Sequence, residues 1–305
     1  MSMSRWLIIA TLFATIIFAP AIVMWANMPT LPEILPPITP NAPIGIALAK
    51  GRQARVAQDY PRAIEVYTEF LDSQTKPNWY TSVALRERAE TYEALRQYDR
   101  AEADFTAALK ASSISTSLYA DRGAFYARRK RYDDALADFS KGAKLDPRSG
   151  KFAYQEARML EERGNYQRAI NRLDDAIRIE PKVRDYYIER GSAHNYAAMY
   201  AEARTDYDKA LELTNPNLIA SEAVRANFGR GYALLRLGLF QLAIDDFDRV
   251  INAMPTAANA LAWRGEAYKG LGDIEHAIED FKAALVHDQN QSNAQRGLRE
   301  LQPSR

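Results

Sequence analysis

Few side chains in this chain of 305 residues could carry out catalysis. It has no cysteine, which excludes thiolate nucleophiles, disulfides and thiolate metal sites. The histidines are His194, His276 and His287, and the last two lack the spacing of a carboxylate–histidine metal motif. His194 occupies a position that the chain elsewhere fills with tyrosine or leucine, so we expect it to be buried. We expect the other two histidines at the surface.

Three pairs of adjacent aspartates look like paired catalytic carboxylates when each is taken alone: Asp133-Asp134, Asp174-Asp175 and Asp245-Asp246. They recur beside apolar helix positions, so we interpret them as solvated helix faces. The sequence has no glycine-rich phosphate loop and no nucleophile elbow. It therefore predicts a non-enzymatic protein with no catalytic residue, no cofactor and no metal site.

The helices that would carry these residues repeat along the chain. Alanine recurs with spacings of 38, 34, 34, 34, 40 and 34 residues, at Ala63, Ala101, Ala135, Ala169, Ala203, Ala243 and Ala277. A small residue lies twelve positions before each alanine, and large apolar residues lie three before it and four after it. These offsets place the apolar side chains on one helical face and the small residue on an earlier helix. Each period is therefore predicted to be two antiparallel helices joined by a tight turn.

The clearest copy is Thr116–Ser149, with Gly123, Tyr132, Ala135 and Phe139 in order before a terminal proline. This order resembles the tetratricopeptide repeat, a helix–turn–helix unit of 34 residues. The resemblance implies an all-α, right-handed α-solenoid of seven repeats. On this register the repeats are residues 44–77, 82–115, 116–149, 150–183, 184–217, 224–257 and 258–291.

Three departures from the period have structural meaning. Residues Asn78–Thr81 and Leu218–Ala223 lengthen two junctions, and either alter the superhelical pitch or extend the following helix. After the last repeat, Ala294, Leu298 and Leu301 share one helical face. We predict a capping helix and a tail over residues 292–305, because an open-ended solenoid needs a polar outer face.

The N-terminus carries a second informative segment. Residues 6–25 form an uncharged run of 20, bounded by Trp6 and Trp25. As a helix the run would span about 30 Å, which matches the hydrocarbon core of a bilayer. We predict a cytoplasmic tail over residues 1–5, a transmembrane signal anchor over residues 6–25 and a proline-rich linker over residues 26–43. Arg5 before the run favours a single-pass protein of the bacterial inner membrane, with a cytoplasmic N-terminus and periplasmic repeats.

A cleaved signal peptide is the alternative. The motif Ala19-Pro20-Ala21 fits an A-x-A cleavage site, although the apolar run continues beyond it. Cleavage after Ala21 would release a soluble periplasmic peptide-binding chaperone. A third hypothesis is a stoichiometric structural subunit of a respiratory, photosynthetic or secretion complex.

The resemblance also implies where partners bind. Tetratricopeptide arrays bind protein segments along a concave surface lined by the first helix of each repeat. Here that surface has a basic zone, interrupted by Glu90 and Glu93, that contains Arg52, Arg55, Arg86, Arg128, Lys151 and Arg158. Its aromatic and aliphatic zone contains Tyr154, Ile188, Tyr196, Phe228, Tyr232 and Leu235. Arginine and exposed aromatic residues are typical of binding hot spots, although some could instead pack against neighbouring repeats.

Chaperone-binding members of the family hold terminal carboxylates with a lysine–asparagine clamp. The corresponding positions here are Leu48, Arg52 and Glu87, which argues against a cytosolic chaperone adaptor. The net charge of +1 gives no bias toward nucleic acid. The sequence thus predicts a membrane-tethered scaffold that binds protein partners and assembles or stabilises an extracytoplasmic complex.

Overall fold

The structure is a computed structural model that describes residues 43–214 and 223–301. These residues form fifteen α-helices and contain no β-strand. In chain order the helices are α1 (Pro43–Val56), α2 (Tyr60–Asp72), α3 (Trp79–Ala94), α4 (Tyr98–Ala111), α5 (Thr116–Arg128), α6 (Tyr132–Leu145), α7 (Lys151–Glu162), α8 (Tyr166–Ile179), α9 (Arg184–Tyr196), α10 (Tyr200–Glu212), α11 (Val224–Arg236), α12 (Phe240–Ala253), α13 (Ala258–Leu271), α14 (Ile274–His287) and α15 (Ser292–Leu301). The predicted all-α helical repeat fold is confirmed.

The predicted membrane anchor at residues 6–25 lies outside the described residues. Helix α1 begins at Pro43, which is the last residue of the predicted linker. Among the helices that the structure describes, none combines the length and the apolar character that crossing a bilayer requires.

The described residues fall into two compact units. In the first, residues 43–101, helices α1 to α3 pack around Leu48, Tyr67 and Phe70. In the second, residues 102–214 and 223–301, each helix from α5 to α15 packs on the next one in the chain. The second core is a series of small clusters, centred in turn on Leu173, Tyr207, Phe247 and Phe281.

The repeated alanines lie inside this packing, and each of the seven is fully buried. The small residue twelve positions earlier lets the two helices of a repeat approach closely. A Cβ atom on Gly123 of α5 would lie only 2.5 Å from Cε1 of Phe139 on α6. The aromatic ring therefore fills the space that a side chain at position 123 would need.

The turn between the two helices of a repeat has the same geometry in all seven repeats. Its residue with positive φ is Gln58, Arg96, Lys130, Gly164, Ala198, Gly238 or Gly272. In the turn at Gly164, the Gly164 amide donates to the Glu161 carbonyl and the Asn165 amide to the Leu160 carbonyl, both at 2.8 Å. This pair of bonds is the Schellman motif, which satisfies the last carbonyls of the first helix. Only three of the seven turns have the glycine that this conformation favours.

The structure describes one of the two lengthened junctions and the last helix. Asn78 caps α3 through a reciprocal pair of bonds with Thr81, so the extra residues of this junction extend the following helix. Of the other junction, residues 215–222 lie outside the described part of the chain. Helix α15 covers the last repeat, with Ala294 buried and Leu298 packed beside it.

One interpretation of the acidic pairs is wrong. Asp246 is only 1% exposed, and both of its carboxylate oxygens accept hydrogen bonds from Arg230. A carboxylate can be buried in this way because the guanidinium supplies charge-assisted donors. The side chain of Asp133, by contrast, is 83% exposed as expected.

The histidines lie where the sequence predicts. His194 is buried, with Nδ1 lying 2.8 Å from Oδ2 of Asp206. His276 and His287 are exposed. The part of the chain that the structure describes contains no group of three or more histidine, aspartate or glutamate side chains placed to hold a metal ion.

Candidate protein-binding site

A cavity of about 420 Å³ lies on the first helices of three successive repeats, α9, α11 and α13. It is lined by Ile188, Ser192, Asn195, Tyr196, Tyr207, Arg225, Phe228, Gly229, Tyr232 and Trp263. We call this cavity, together with the adjoining side chains Tyr154, Arg158, Glu161 and Glu189, the groove. Its walls combine large rings with a few polar groups, which is the composition of most ligand sites.

The rings of the groove are held by other rings. Tyr232 and Trp263 meet edge to face, with centroids 5.1 Å apart. Phe228 packs in the same way against buried Phe247, at 6.0 Å. Tyr196 stacks on Tyr166 with its centroid 5.1 Å away, yet remains 67% exposed. Because these contacts fix the rings before a ligand arrives, little side-chain entropy is lost on binding.

Asn195 lies at the floor of the cavity, and only the nitrogen of its side-chain amide has hydrogen-bond partners. Its Nδ2 donates to the Gly229 carbonyl at 2.9 Å and to the Tyr207 hydroxyl at 3.4 Å. Its Oδ1 is buried and has no hydrogen-bond partner. Gly229 is required here, since a Cβ atom at this position would lie 2.2 Å from the Tyr207 ring. Burial raises the pKa of the Tyr207 hydroxyl, so this group stays a neutral phenol.

The edge of the groove toward α7 is acidic. Glu189 accepts hydrogen bonds from Arg225 Nη2 at 2.8 Å and from the Tyr154 hydroxyl at 3.3 Å. Glu161 is mostly buried, and its Oε1 has no hydrogen-bond partner. Burial, reinforced by the Glu189 charge, raises the pKa of Glu161 from 4.5 to about 8. Burial likewise raises the pKa of the Tyr154 hydroxyl to about 12.

In the second unit, the structure brings several predicted site residues together and separates others. The cavity is lined by four of them, Ile188, Tyr196, Phe228 and Tyr232, of which Ile188 is buried. Leu235 packs against the cluster around Phe247. The remaining predicted residues of this unit lie outside the cavity: the Arg158 guanidinium is over the Tyr154 ring at 6.0 Å, and Lys151 and Arg128 are exposed.

In the first unit, the predicted basic residues surround two carboxylates. Arg52 lies 2.8 Å from buried Glu87, and Arg55 lies 3.0 Å from it and also contacts Glu90. Arg86 contacts both carboxylates, at 3.3 Å and 4.0 Å. These arginines therefore neutralise the carboxylates of their own unit, which weakens their electrostatic attraction for an external acidic partner.

Sequence reasoning missed the polar half of the groove, namely Glu161, Glu189, Asn195 and Arg225. A signal for two of them was present. Glu161 and Asn195 occupy the same place in successive repeats, which is also the place of the predicted residue Leu235. Including that offset in every repeat would have found both acceptors.

A second cavity, of about 660 Å³, is less suited to a ligand with apolar side chains. Its lining contains no aromatic ring, and two of its charged residues, Glu156 and Arg172, contact each other at 3.6 Å. The groove is therefore the better candidate for a binding site.

Comparison with known families agrees with this architecture. A sequence model described as tetratricopeptide repeat matches residues 86–150, 154–217 and 196–258, and another with that description matches residues 258–285. The chain belongs to the tetratricopeptide repeat family. These matches begin at residue 86, so a membrane-anchored form of the tetratricopeptide repeat protein stays a prediction.

One relative matches part of the chain. Heat shock protein STI1 of Saccharomyces cerevisiae is 30% identical over 118 residues, which are 37% of this tetratricopeptide repeat protein and 18% of the yeast protein. The chain thus spans less than a fifth of that relative.

Solved structures share the fold at low identity. The C-terminal part of a TPR repeat-containing protein from Cytophaga hutchinsonii has a TM-score of 0.63 at 20% identity, covering 82% of this chain and 99% of that one. YrrB has a TM-score of 0.53 at 20% identity, and the match covers 63% of this chain and 96% of YrrB. PilF of Pseudomonas aeruginosa has a TM-score of 0.59 at 17% identity, covering 72% and 97%. These likenesses concern the fold alone.

Proposed function

We propose that this tetratricopeptide repeat protein is a non-enzymatic scaffold that binds an extended segment of a protein partner in the groove. One observation carries the proposal. The cavity places fixed aromatic rings beside an amide whose acceptor oxygen has no partner, on the first helices of successive repeats. An unpaired buried acceptor costs free energy, and a donor from a bound chain would recover it.

The chemistry of the groove suits a polypeptide. Its rings offer apolar area with little entropy to lose, and Asn195 Oδ1 can accept a hydrogen bond from a backbone N–H. Tyrosine, tryptophan and arginine are the residues that most often dominate binding energy at protein interfaces. YrrB, a structural neighbour, is itself described as a TPR protein with an unusual peptide-binding site, which supports a peptide ligand here.

We further propose that residues 6–25 tether the scaffold to the bacterial inner membrane, where it assembles or stabilises a periplasmic complex. The length and uncharged composition of the run support this part of the proposal. N-terminal sequencing of the mature protein tests the tether. A start at Ile22 would instead favour the soluble periplasmic chaperone, and stoichiometric co-purification with a membrane complex would favour the structural subunit.

The groove is tested with full-length protein in detergent and a phage library of random decapeptides. We expect wild-type protein to enrich peptides that lose binding to Phe228→Ala and Tyr232→Ala. Val286→Ala, which alters an exposed apolar side chain of α14, should bind like wild type. Circular dichroism should show the same helicity in all three variants. No enrichment, or equal binding by all variants, would refute a peptide site in the groove.

A further inference from the structure

Two acceptor oxygens of the groove share one place in the repeat. In the described residues of the second unit, Glu161 Oε1 and Asn195 Oδ1 are buried and have no hydrogen-bond partner. Glu161 lies in the last turn of α7 and Asn195 in the last turn of α9, one repeat apart. Their backbone carbonyls accept from the Gly164 and Ala198 amides in the same turn motif. The amide oxygen of Asn195 and the ionised form of Glu161 are both acceptors, so a ligand that pairs with both must supply hydrogen-bond donors.

Glu161 and Asn195 differ in the ligand groups that they favour. The carboxylate of Glu161 favours a cation, whereas the neutral amide of Asn195 favours no charge. Around Glu161 lie Glu162 on its own helix and Glu189 on α9, with Arg158 on α7 and Arg225 on α11 as the nearby cations. Arg225 is engaged with Glu189 at 2.8 Å, and Arg158 lies over Tyr154. In the part of the chain that the structure describes, no cation forms an ion pair with Glu161. When Glu161 is ionised, this end of the groove has three carboxylates, those of Glu161, Glu162 and Glu189, near two guanidinium groups.

The packing of two helices sets the spacing between Glu161 and the cavity beside Asn195. Helices α7 and α9 are in contact, and helices in contact lie about 10 Å apart. An extended chain covers about 3.3 Å per residue, so the two ends are about three residues apart.

We propose that the groove selects a partner segment with a lysine or arginine about three residues from an apolar or aromatic residue. The cationic side chain pairs with Glu161, and the apolar side chain enters the cavity beside Asn195. This inference rests on the proposed function, since it specifies the ligand of the same groove. The pair of charges is mostly shielded from water, where such an ion pair is stronger than at the surface.

The protonation of Glu161 gives the inference a distinctive signature. Its pKa of about 8 means that the carboxyl group of the free groove is mostly protonated at pH 7. A cationic ligand binds the ionised form, so binding releases a proton. Affinity for it should rise as pH increases from 6 to 8, by up to about tenfold per pH unit, and level off above pH 8. A ligand without the cation should show no such rise.

The experiment uses fluorescein-labelled synthetic peptides that carry one lysine and one leucine at separations of one to five residues, in both orders. Matched peptides replace the lysine with norleucine. We expect the best lysine peptide, near a separation of three, to bind full-length protein at least tenfold more tightly at pH 8 than its norleucine match. Glu161→Gln, which keeps the side-chain shape, should abolish this preference and its pH dependence. Glu202→Gln, an exposed carboxylate on α10, is the control and should keep both.

The outcomes separate the two proposals. If lysine and norleucine peptides bind equally and both lose affinity in Tyr232→Ala, the cation preference is refuted and the peptide groove stands. If Glu161→Gln retains the preference, the cation is bound elsewhere and the inference is also refuted. If no peptide binds at any separation, both the inference and the proposed function fail.

Discussion

Arg230 donates two parallel hydrogen bonds to Asp246, from Nε to Oδ2 and from Nη2 to Oδ1, each 2.7 Å long. The arginine lies on the first helix of its repeat and the aspartate, sixteen residues later, on the second. A third nitrogen of the same guanidinium, Nη1, reaches Asp208 on α10 at 2.6 Å. One side chain therefore joins both helices of its repeat to the repeat before it. The same bidentate pairing recurs at Arg122 with Asp138 and at Arg264 with Asp280.

Removing the carboxylate charge should destabilise the fold. Asp246→Asn leaves the Arg230 guanidinium without its buried counter-ion, and breaking such a pair costs roughly 3–5 kcal/mol when both partners are buried. Because Arg230 is partly exposed, we expect a loss of about 2 kcal/mol in the free energy of unfolding, measured with urea. Asp245→Asn changes the less buried neighbour and should cost under about 0.5 kcal/mol. Equal effects of the two variants would contradict the role of the pair.

The fourth repeat carries the same ion pair with its charges exchanged. Glu156 stands where five other repeats have arginine, and Arg172 where the same five have aspartate, with Arg172 Nε and Glu156 Oε2 3.6 Å apart. We predict that Glu156→Arg and Arg172→Asp are each destabilising but compensate in the double variant. A coupling energy of about 1–3 kcal/mol is expected from the thermodynamic cycle, measured by urea unfolding. Additive effects would show that the two side chains act independently.

The helical repeat fold could be predicted from sequence because its packing residues recur in every repeat. Each buried alanine and the large apolar residue four positions later share a helix, so local spacing was sufficient to assign them. The ion pairs were missed because Arg230 and Asp246 lie on different helices. Interpreting Asp245-Asp246 on its own helix alone led to the wrong expectation of a solvated face.

The groove could be predicted only in part. The offsets from the repeat select Tyr196, Phe228 and Tyr232, which line one cavity. The exposure of a cavity residue such as Ile188 depends on side chains from neighbouring repeats. It could not be predicted because spacing within one helix does not describe those neighbours. The repeat offset of Leu235 also marks the positions of Glu161 and Asn195, but the lack of a hydrogen-bond partner at their acceptor oxygens is a property of three-dimensional packing.

The turns provide a test of backbone strain. Ala198 has φ of +59°, a conformation that costs a non-glycine residue about 1–2 kcal/mol. Ala198→Gly should therefore stabilise the protein by about 0.5–1 kcal/mol after the entropy that glycine loses on folding. Gly164→Ala should destabilise it by about 1 kcal/mol, since an added Cβ would meet no atom within 4 Å and only backbone strain opposes it. Thermal unfolding measures both.

The control for the turn is a glycine placed within a helix. Ala201→Gly, at an exposed position of α10, should destabilise by up to about 1 kcal/mol. If Ala198→Gly behaved like Ala201→Gly, the left-handed conformation of Ala198 would not be a source of strain.

The buried carboxyl group of Glu161 should make stability fall as pH rises. Its pKa is about 8 in the folded chain against an ordinary value of 4.5, so the folded state holds a proton that the unfolded state releases. The contribution of protonated Glu161 to the free energy of unfolding is fully present below pH 4.5. It is lost as pH rises through 8, by at most about 1.4 kcal/mol per pH unit. Partial exposure reduces this, and we expect wild type to lose about 2 kcal/mol relative to Glu161→Gln between pH 5 and pH 8.5. Urea unfolding at the two pH values measures the difference, in which titration of other groups cancels. If wild type and Glu161→Gln differed in stability by the same amount at both pH values, Glu161 would be solvated and ionised at neutral pH. Glu202→Gln is the control, and its difference from wild type should not change with pH.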